Sequence, residues 1–504
     1  MITPYSYQTK GINELAINIK AGIRTQIYQL PTGGGKTVTF GALIQRYKQR
    51  YKTKKVVILV HRDELLKQAR KSLYNDFELD SIGLSAKVKT ISNYDICVGM
   101  VETAYNRLKK DPKYFGDNVG LLIIDECHIG NFNKLYDYFK EQLIIGFSAT
   151  PKAASKKNPL KNYFEAIVTG PQIQDLIDFG SLCPNETYAP KGVNKKAFKV
   201  KRGEYDIKQM GEVYSKSLNV QNTVLAYERL CKGLKCLVFN VNVKHSKLVT
   251  DAFVAKGYDS KHLDGSESPE ARKEILTWFK NTPNAILNNI AVLTTGFNEP
   301  SIGAVLLNRS TKSLPLYLQM TGRGSRTYKG KETFKIVDLG SNVFEHNDWS
   351  EDIDWKRIFE NPEKARESKG AAPIKTCEGC EAIIPVQAVE CEFCGHLHEK
   401  ELIYDQNPIE FEQIMGRINV AQIIAQKKAA GYKEFSAFFE ILNKHTTILK
   451  YRIGEELSRG FAEKAFNLFL KDVKVFCKYN NRPYGAWIKQ FSREQFFKKV
   501  KIKN

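Results

Sequence analysis

The sequence predicts an α/β protein built from two tandem domains, each a parallel sheet with helices on both faces. Three observations carry this prediction. Short apolar runs alternate with amphipathic stretches over residues 1–180. The same alternation returns over residues 215–360. The 504-residue length suits about three to four domains at roughly 150 residues each. In the first stretch Ile27–Leu30, Val56–Val60, Ile96–Met100, Leu121–Ile124 and Ile144–Phe147 read as buried strands. Uninterrupted apolar strands suit a sheet covered on both sides. Between them, Val38–Gln49 and Arg62–Leu73 have helical spacing. In the second stretch the strands are Cys236–Asn240, Ala285–Leu287, Ala304–Asn308 and Lys335–Asp338. Residues 181–214 read as a connection with little core, because Pro184–Gly211 is rich in Lys, Gly and Asn. Residues 370–400 hold a cysteine cluster, and 401–504 have mainly helical spacing.

Composition narrows the function. Apolar residues make up 42% and charged residues 26% of the chain, a globular balance that excludes disorder as the main state. Lys and Arg number 77 against 55 Asp and Glu, a formal charge of +22. Such a surplus calls for a polyanion, nucleic acid first and a membrane surface second. No apolar run approaches the roughly 20 residues that span a bilayer. The opening Met1-Ile2-Thr3-Pro4-Tyr5 lacks a basic-then-apolar leader. The expectation is a cytoplasmic protein without a membrane partner, in which clustered cysteines mean metal rather than disulfides.

The sharpest motif is Pro31-Thr32-Gly33-Gly34-Gly35-Lys36-Thr37, between a strand and a helix. Glycines let backbone N–H groups curl around phosphates, and the helix N-terminus adds a positive dipole end. Lys36 can reach the β- and γ-phosphates of ATP, and the Thr37 hydroxyl can ligate Mg²⁺. The general pattern has Gly where Leu30 stands. A second element, Asp125-Glu126-Cys127-His128, ends an apolar strand. Asp125 suits the Mg²⁺ shell, and Glu126 can orient and deprotonate the attacking water.

Together these motifs resemble superfamily 2 helicases and translocases of the DExH kind. The resemblance covers about residues 1–340 and implies two RecA-like domains that bind ATP, Mg²⁺ and nucleic acid. Tyr7-Gln8 is similar to the family's adenine-reading motif, with Gln8 on the base. Ser148-Ala149-Thr150-Pro151 is similar to the motif that couples hydrolysis to movement. Val60-His61-Arg62 and Gly99–Thr103 resemble nucleic-acid backbone motifs. Leu293–Pro300 resembles the fifth motif, which places Gly296 and Asn298 at the nucleotide, with Asn298 on the ribose. An acid commonly stands at this Asn298 position and at Thr295. Gln319-Met320-Thr321-Gly322-Arg323-Gly324-Ser325-Arg326 resembles the sixth motif. It implies arginine fingers at Arg323 and Arg326, and a Gln319 that positions water or phosphate.

Cys377-Glu378-Gly379-Cys380 and Cys391-Glu392-Phe393-Cys394 are separated by residues 381–390. Two such pairs at short separation suit a four-cysteine Zn²⁺ ribbon through Cys377, Cys380, Cys391 and Cys394. A thioredoxin-like redox pair is the rival, and no βαβ unit surrounds it. The ribbon serves as a staple or as a grip on nucleic acid. Residues 401–504 hold 19 Lys and Arg against 11 Asp and Glu, with many aromatics. They form a small basic helical domain or a single-strand stacking surface.

Motor, four cysteines and basic end, in that order, resemble RadD-type bacterial and phage DNA repair helicases. This implies an ATP-driven enzyme on DNA rather than RNA, in repair, recombination or replication. It also implies single-strand-binding or repair proteins as partners, in a bacterial or phage-infected cell. The alternatives are an RNA helicase, the motor subunit of a restriction complex and a non-hydrolysing nucleic-acid adaptor.

Overall fold

The computed structural model describes residues 2–362, except 86, 87, 89, 90, 92, 153–157, 191–197, 202, 291, 295 and 296. Beyond these it describes 374–376, 383–385, 395–396, 411–414, 438, 441–442, 466, 469–470, 472–474 and 476–477. The fold is two RecA-like α/β domains, each centred on a seven-stranded sheet.

The first sheet contains β1 (Thr25–Gln29), β2 (Lys55–Val60), β3 (Ile82–Gly83), β4 (Ile96–Met100), β5 (Val119–Asp125), β6 (Leu143–Ser148) and β7 (Ala166–Thr169). Their order is β3-β4-β2-β5-β6-β1-β7, and neighbours run parallel. Around it lie α1 (Ser6–Lys20), α2 (Lys36–Arg50), α3 (Asp63–Phe77) and α4 (Val101–Lys110). Strand β2 shows why these runs read as continuously apolar. Val57 and Leu59 enter the core on one face of the sheet. Val56, Ile58 and Val60 enter the core on the other. Successive side chains point to opposite faces, so a strand covered twice has no polar positions.

Helix α5 (Ile173–Asp178) leads out of the first domain. The second sheet contains β8 (Asn185–Pro190), β11 (Cys236–Asn240), β12 (Ser260–Leu263), β13 (Ile286–Asn289), β14 (Ala304–Asn308) and β15 (Phe334–Val337). A late strand, β18 (Phe411–Ile414), completes the order β12-β13-β11-β14-β15-β8-β18. Only β18 runs antiparallel, against β8. Between β8 and β11 a hairpin of β9 (Val200–Lys201) and β10 (Glu204–Tyr205) precedes α6 (Ile207–Tyr214) and α7 (Ser217–Leu230). Helices α8 (Val243–Ala255), α9 (Pro269–Asn281), α10 (Leu314–Thr321), α11 (Val343–His346) and α12 (Trp355–Glu360) follow. Several starts were written locally. The Asn242 side chain accepts the His245 N–H at 2.9 Å. Ser268 accepts that of Ala271 at 3.1 Å, just before Pro269. These are N-caps for groups the helix cannot satisfy itself.

Two differences from the sequence reading concern the span between the domains. Residues 181–214 are more than a connection: β8 joins the second sheet beside β15, and Phe198, Tyr205, Met210 and Tyr214 form a small core with Val241. The domains also exchange elements. Ile173, Leu176 and Ile177 of α5 pack into the second domain's core. Phe359 of α12 packs into the first domain's core. Gln172 ties the two crossings, donating to the Ile353 carbonyl at 3.0 Å and accepting its N–H at 3.2 Å.

The four ribbon cysteines lie outside the described residues. The short strands β16 (Ile374–Thr376) and β17 (Ile383–Pro385) pair antiparallel on either side of the first cysteine pair. In 401–504, expected to be mainly helical, β18 is a strand; residues such as Phe438, Phe469 and Phe476 are helical and buried. The cysteines read as packing residues, Cys97, Cys127, Cys183, Cys231, Cys236 and Cys477, are free and buried. Among the described residues no helix is long and apolar enough to cross a membrane.

Candidate nucleotide site between the domains

The site begins where β1 ends. The next residues turn tightly: Gly33 and Gly35 have φ of +92° and +84°, a region that glycine enters without strain. The turn delivers Lys36 and Thr37 to the first turn of α2. In the sheet β6 and then β5 lie beside β1, so Asp125 and Glu126 emerge along the same edge. Ligands of open parallel sheets bind outside these carboxyl ends.

Lys36 Nζ sits 2.9 Å from Glu126 Oε1, with both side chains largely buried. His128 Nδ1 lies 3.3 Å from Glu126 Oε2 and 2.9 Å from Ser148 Oγ. Asp125 accepts the Glu126 N–H at 3.0 Å. Burial, and then the Glu126 charge, push the Asp125 carboxyl up. Burial would also raise Glu126, but Lys36, His128 and Arg323 outweigh it and hold that carboxyl down. A divalent cation would relieve the cost of an ionised Asp125, and Thr37 and Asp125 can supply oxygen ligands for it.

Gln8 is buried and turned onto the phosphate loop. Its Nε2 donates to the Gly34 and Gly35 carbonyls at 3.2 and 3.3 Å. Its Oε1 accepts the Tyr5 N–H at 2.9 Å. In this structure the side chain expected on a base therefore also braces the loop. Tyr7 donates to the Gly34 carbonyl at 3.1 Å. Tyr5, Tyr7 and Phe179 form an aromatic group beside it, with ring centroids 5.3–5.6 Å apart.

The second domain closes the site. Gly322 lies against Thr32: a Cβ there would come within 3.4 Å of the Thr32 Cβ. Gln319 Nε2 is 3.4 Å from His128 Nε2 across the gap, so it faces a side chain. Arg62 Nη1 donates to the Val292 carbonyl at 2.9 Å, and Arg272 Nε lies 3.5 Å from Glu64.

The two arginines are held differently. Arg323 donates to the carbonyls of Phe297 at 2.6 Å, Thr294 at 2.7 Å and Gln319 at 3.3 Å. Burial, and then the neighbouring Arg326 charge, lower its pKa to about 9. All these partners belong to its own domain, so Arg323 braces the loop that precedes it. Arg326 reaches across. Its Nε donates to Asn298 Oδ1 at 3.0 Å. Its Nη1 abuts Gly33, buried and without a hydrogen-bond partner among the described residues. A buried unpaired guanidinium N–H is costly, and burial lowers the Arg326 pKa. A phosphate oxygen beside Gly33 would satisfy it. The residues present therefore fit a nucleoside triphosphate.

The geometry gathers Thr32, Gly33, Gly34, Gly35, Lys36, Thr37, Asp125, Glu126, Gln319, Arg323 and Arg326 at one cleft. Asn298 is also there, bonded to Arg326. Gly296 lies outside the described residues. Sequence reasoning did not find that His61 is buried close enough to this cluster for burial, and then the His128 charge, to lower its pKa to about 4. Only the adjacency of β2 and β5 could have suggested it.

Residues 1–153 match the family described as type III restriction enzyme, res subunit. Residues 221–328 match the helicase conserved C-terminal domain. The chain is 26% identical over 405 residues to a 51.5 kDa protein of a Lactococcus phage, covering 79% of this chain and 84% of that protein. It is 30% identical over 355 residues to a putative ATP-dependent helicase of Saccharomyces cerevisiae, covering 66% of this chain. It spans about half, 51%, of that yeast protein. Among solved structures, a putative HsdR subunit fragment of a type I restriction enzyme from Vibrio vulnificus superposes with a TM-score of 0.56 at 21% identity. The match covers 69% of this chain and 66% of that fragment.

Proposed function

We propose that this nucleic-acid-dependent ATPase of the helicase class converts ATP hydrolysis into movement along DNA. The observation that carries the reading is the Arg326 guanidinium. It crosses the gap and holds an unpartnered N–H against the phosphate loop, within the cleft where Lys36 and Glu126 meet. Each domain then has half a site. In the first, Lys36 and the loop N–H groups grip phosphates, and Glu126 orients and deprotonates water once Lys36 turns to the nucleotide. Mg²⁺, held by Thr37 and Asp125, would neutralise phosphate charge. In the second, Arg326 stabilises charge on the transferring phosphoryl group. Asn298 aims Arg326, and Arg323 and Gln319 brace the segment that carries it. ATP favours the closed arrangement, and hydrolysis releases it. If both domains grip one backbone, each cycle moves one grip past the other.

DNA is the favoured track because the family matched over residues 1–153 is named for a restriction enzyme, and a relative from Enterobacteria phage T4, 22% identical over 355 residues, is named an ATP-dependent DNA helicase. The +22 charge suits either nucleic acid. Repair, recombination or replication remains the favoured setting, on the resemblance to RadD-type helicases. The test is displacement of a labelled third strand from duplex DNA, or of one strand from a fork. ATP-dependent displacement on DNA that exceeds that on matched RNA is expected. Displacement only on RNA would establish the rival RNA helicase, and none on any substrate would remove the motor reading.

We further propose that Cys377, Cys380, Cys391 and Cys394 hold one Zn²⁺. The antiparallel strands flanking the first pair support a knuckle hairpin. So does the left-handed Gly395 directly after Cys394, at φ +70°. Elemental analysis of the intact chain should find about one zinc per molecule, and Cys377→Ser should lower it. A metal-free, folded parent chain would contradict the site.

A further inference from the structure

Arg326 reaches the phosphate loop only if its backbone starts from the right place and its side chain is aimed. The aim comes from Asn298, whose Oδ1 accepts the Arg326 Nε–H at 3.0 Å. Asn298 and Arg326 stand on different loops of the second domain, so their separation must be held.

Lys331 holds it. After Arg326 the chain turns back on itself, and the Lys331 N–H closes the turn on the Tyr328 carbonyl at 3.0 Å. The turn returns the Lys331 side chain to the segment just left. Its Nζ donates to the Gly324 carbonyl at 2.6 Å and to the Arg326 carbonyl at 2.8 Å. It also donates to the Pro300 carbonyl at 3.1 Å, two residues beyond Asn298. An ammonium has three N–H donors, and here each has an acceptor. One group thus fixes both the root of the arginine and the loop that aims it. The Ser325 carbonyl, between the two, accepts the Cys183 N–H at 2.7 Å, so every carbonyl of residues 324–326 is held.

The charge strengthens the hold, because hydrogen bonds from an ionised donor are roughly twice as strong as neutral ones. Burial lowers the Lys331 pKa to about 8, the nearby Arg326 charge acts in the same direction, and Cys183 and Glu299 oppose them. Near neutral pH the ammonium therefore keeps all three protons.

We infer that Lys331 is a positioning residue for Arg326: its ammonium sets the separation between the backbone that carries the guanidinium and the loop that aims it. The inference rests on the proposed role of Arg326. Its test is a double-mutant cycle on the intact chain, with the parent, Lys331→Met, Arg326→Ala and the double variant. Methionine keeps an unbranched stem and brings no donor.

Single-turnover ATP hydrolysis is measured near neutral pH at saturating ATP and single-stranded DNA, beside equilibrium ATP binding. Lys331→Met should slow the parent by about 10–100-fold with ATP affinity within about threefold, the cost of a misplaced group. In the Arg326→Ala background the same substitution should change the rate by less than about threefold, because no guanidinium is left to misplace. A merely structural lysine would cost the same factor in both backgrounds. That result, a parental rate in Lys331→Met, or a loss carried by ATP affinity would overturn the inference. Should Lys331→Met lack a folded melting transition, the cycle is run with Lys331→Arg and decides by the same criteria. The arginine keeps the charge, but its planar fork cannot converge on three carbonyls. A near-parental rate in Arg326→Ala would remove the proposed role of Arg326 and this inference with it. A slow Arg326→Ala beside a parental Lys331→Met would remove the inference alone.

Discussion

Lys36→Ala is expected to lower DNA-activated ATP hydrolysis by at least about 10³-fold, which is roughly 4 kcal/mol of transition-state stabilisation. The reason is partly the lost cation. Lys36 opens α2 directly after the left-handed Gly35, the position from which it would reach the β- and γ-phosphates. A second consequence follows from its pair with Glu126 at 2.9 Å. Without Lys36 the largest influence holding that carboxyl down is gone, and burial drives it toward the protonated form, which cannot accept a proton from water. Nucleic-acid affinity, read by fluorescence anisotropy with a labelled single strand, should stay within a few-fold, because the lysine faces the nucleotide cleft. Hydrolysis at the parental rate would remove Lys36 from the site. Parallel loss of DNA binding and of the folded melting transition would mean the substitution acts on the fold.

Much of this was legible because it is local. The phosphate loop needs glycines at fixed spacing before a lysine, and a seven-residue window contains them all. The Asp125-Glu126 pair ends an apolar strand whose character is written in its own residues. Central strands such as β2 and β11 could be read because both faces are buried. Strands farther from the centre could not. β12 reads Ser-Lys-His-Leu and β8 reads Asn-Glu-Thr-Tyr-Ala-Pro, so neither offers an apolar run. β18 lies far along the chain and finds its partner only in the folded second domain. The exchange of α5 and Phe359 between cores is likewise invisible, since an apolar helix face does not name the domain it will cover.

The site divides in the same way. Residue types at the cleft followed from motif spacing. Their partners did not, because partners are set by which strands become neighbours. Asn298 was expected on a ribose, and the fold gives its Oδ1 to Arg326. Arg323 and Arg326 are three apart and looked equivalent. Only the folded loop around Thr294 and Phe297 separates them, absorbing Arg323 and leaving Arg326 free to reach Gly33. Gln8 was expected on a base, and its amide also holds the loop that would carry the phosphates.

That separation sets the second large effect. Arg326→Ala removes the guanidinium that approaches the phosphate loop from the other domain. An arginine supplied to a transferring phosphoryl group contributes about 10³–10⁵ in rate. ATP itself is gripped mainly by the first domain, so its affinity should change little. Arg323→Ala differs: it leaves the Phe297 and Thr294 carbonyls without their donor, so it should lower the melting temperature as well as the rate. Asn298→Ala should lie between parent and Arg326→Ala, because it frees the arginine without removing it.

The account's central claim is that one nucleotide site is shared across the gap between the two domains. Its most direct test is single-turnover ATP hydrolysis by Arg326→Ala at saturating ATP and single-stranded DNA, beside equilibrium ATP binding by the same protein. The account predicts a rate lowered by at least about 10³-fold with ATP affinity within about fivefold of the parent. A near-parental rate, or a loss of affinity that accounts for the whole loss of rate, would contradict it.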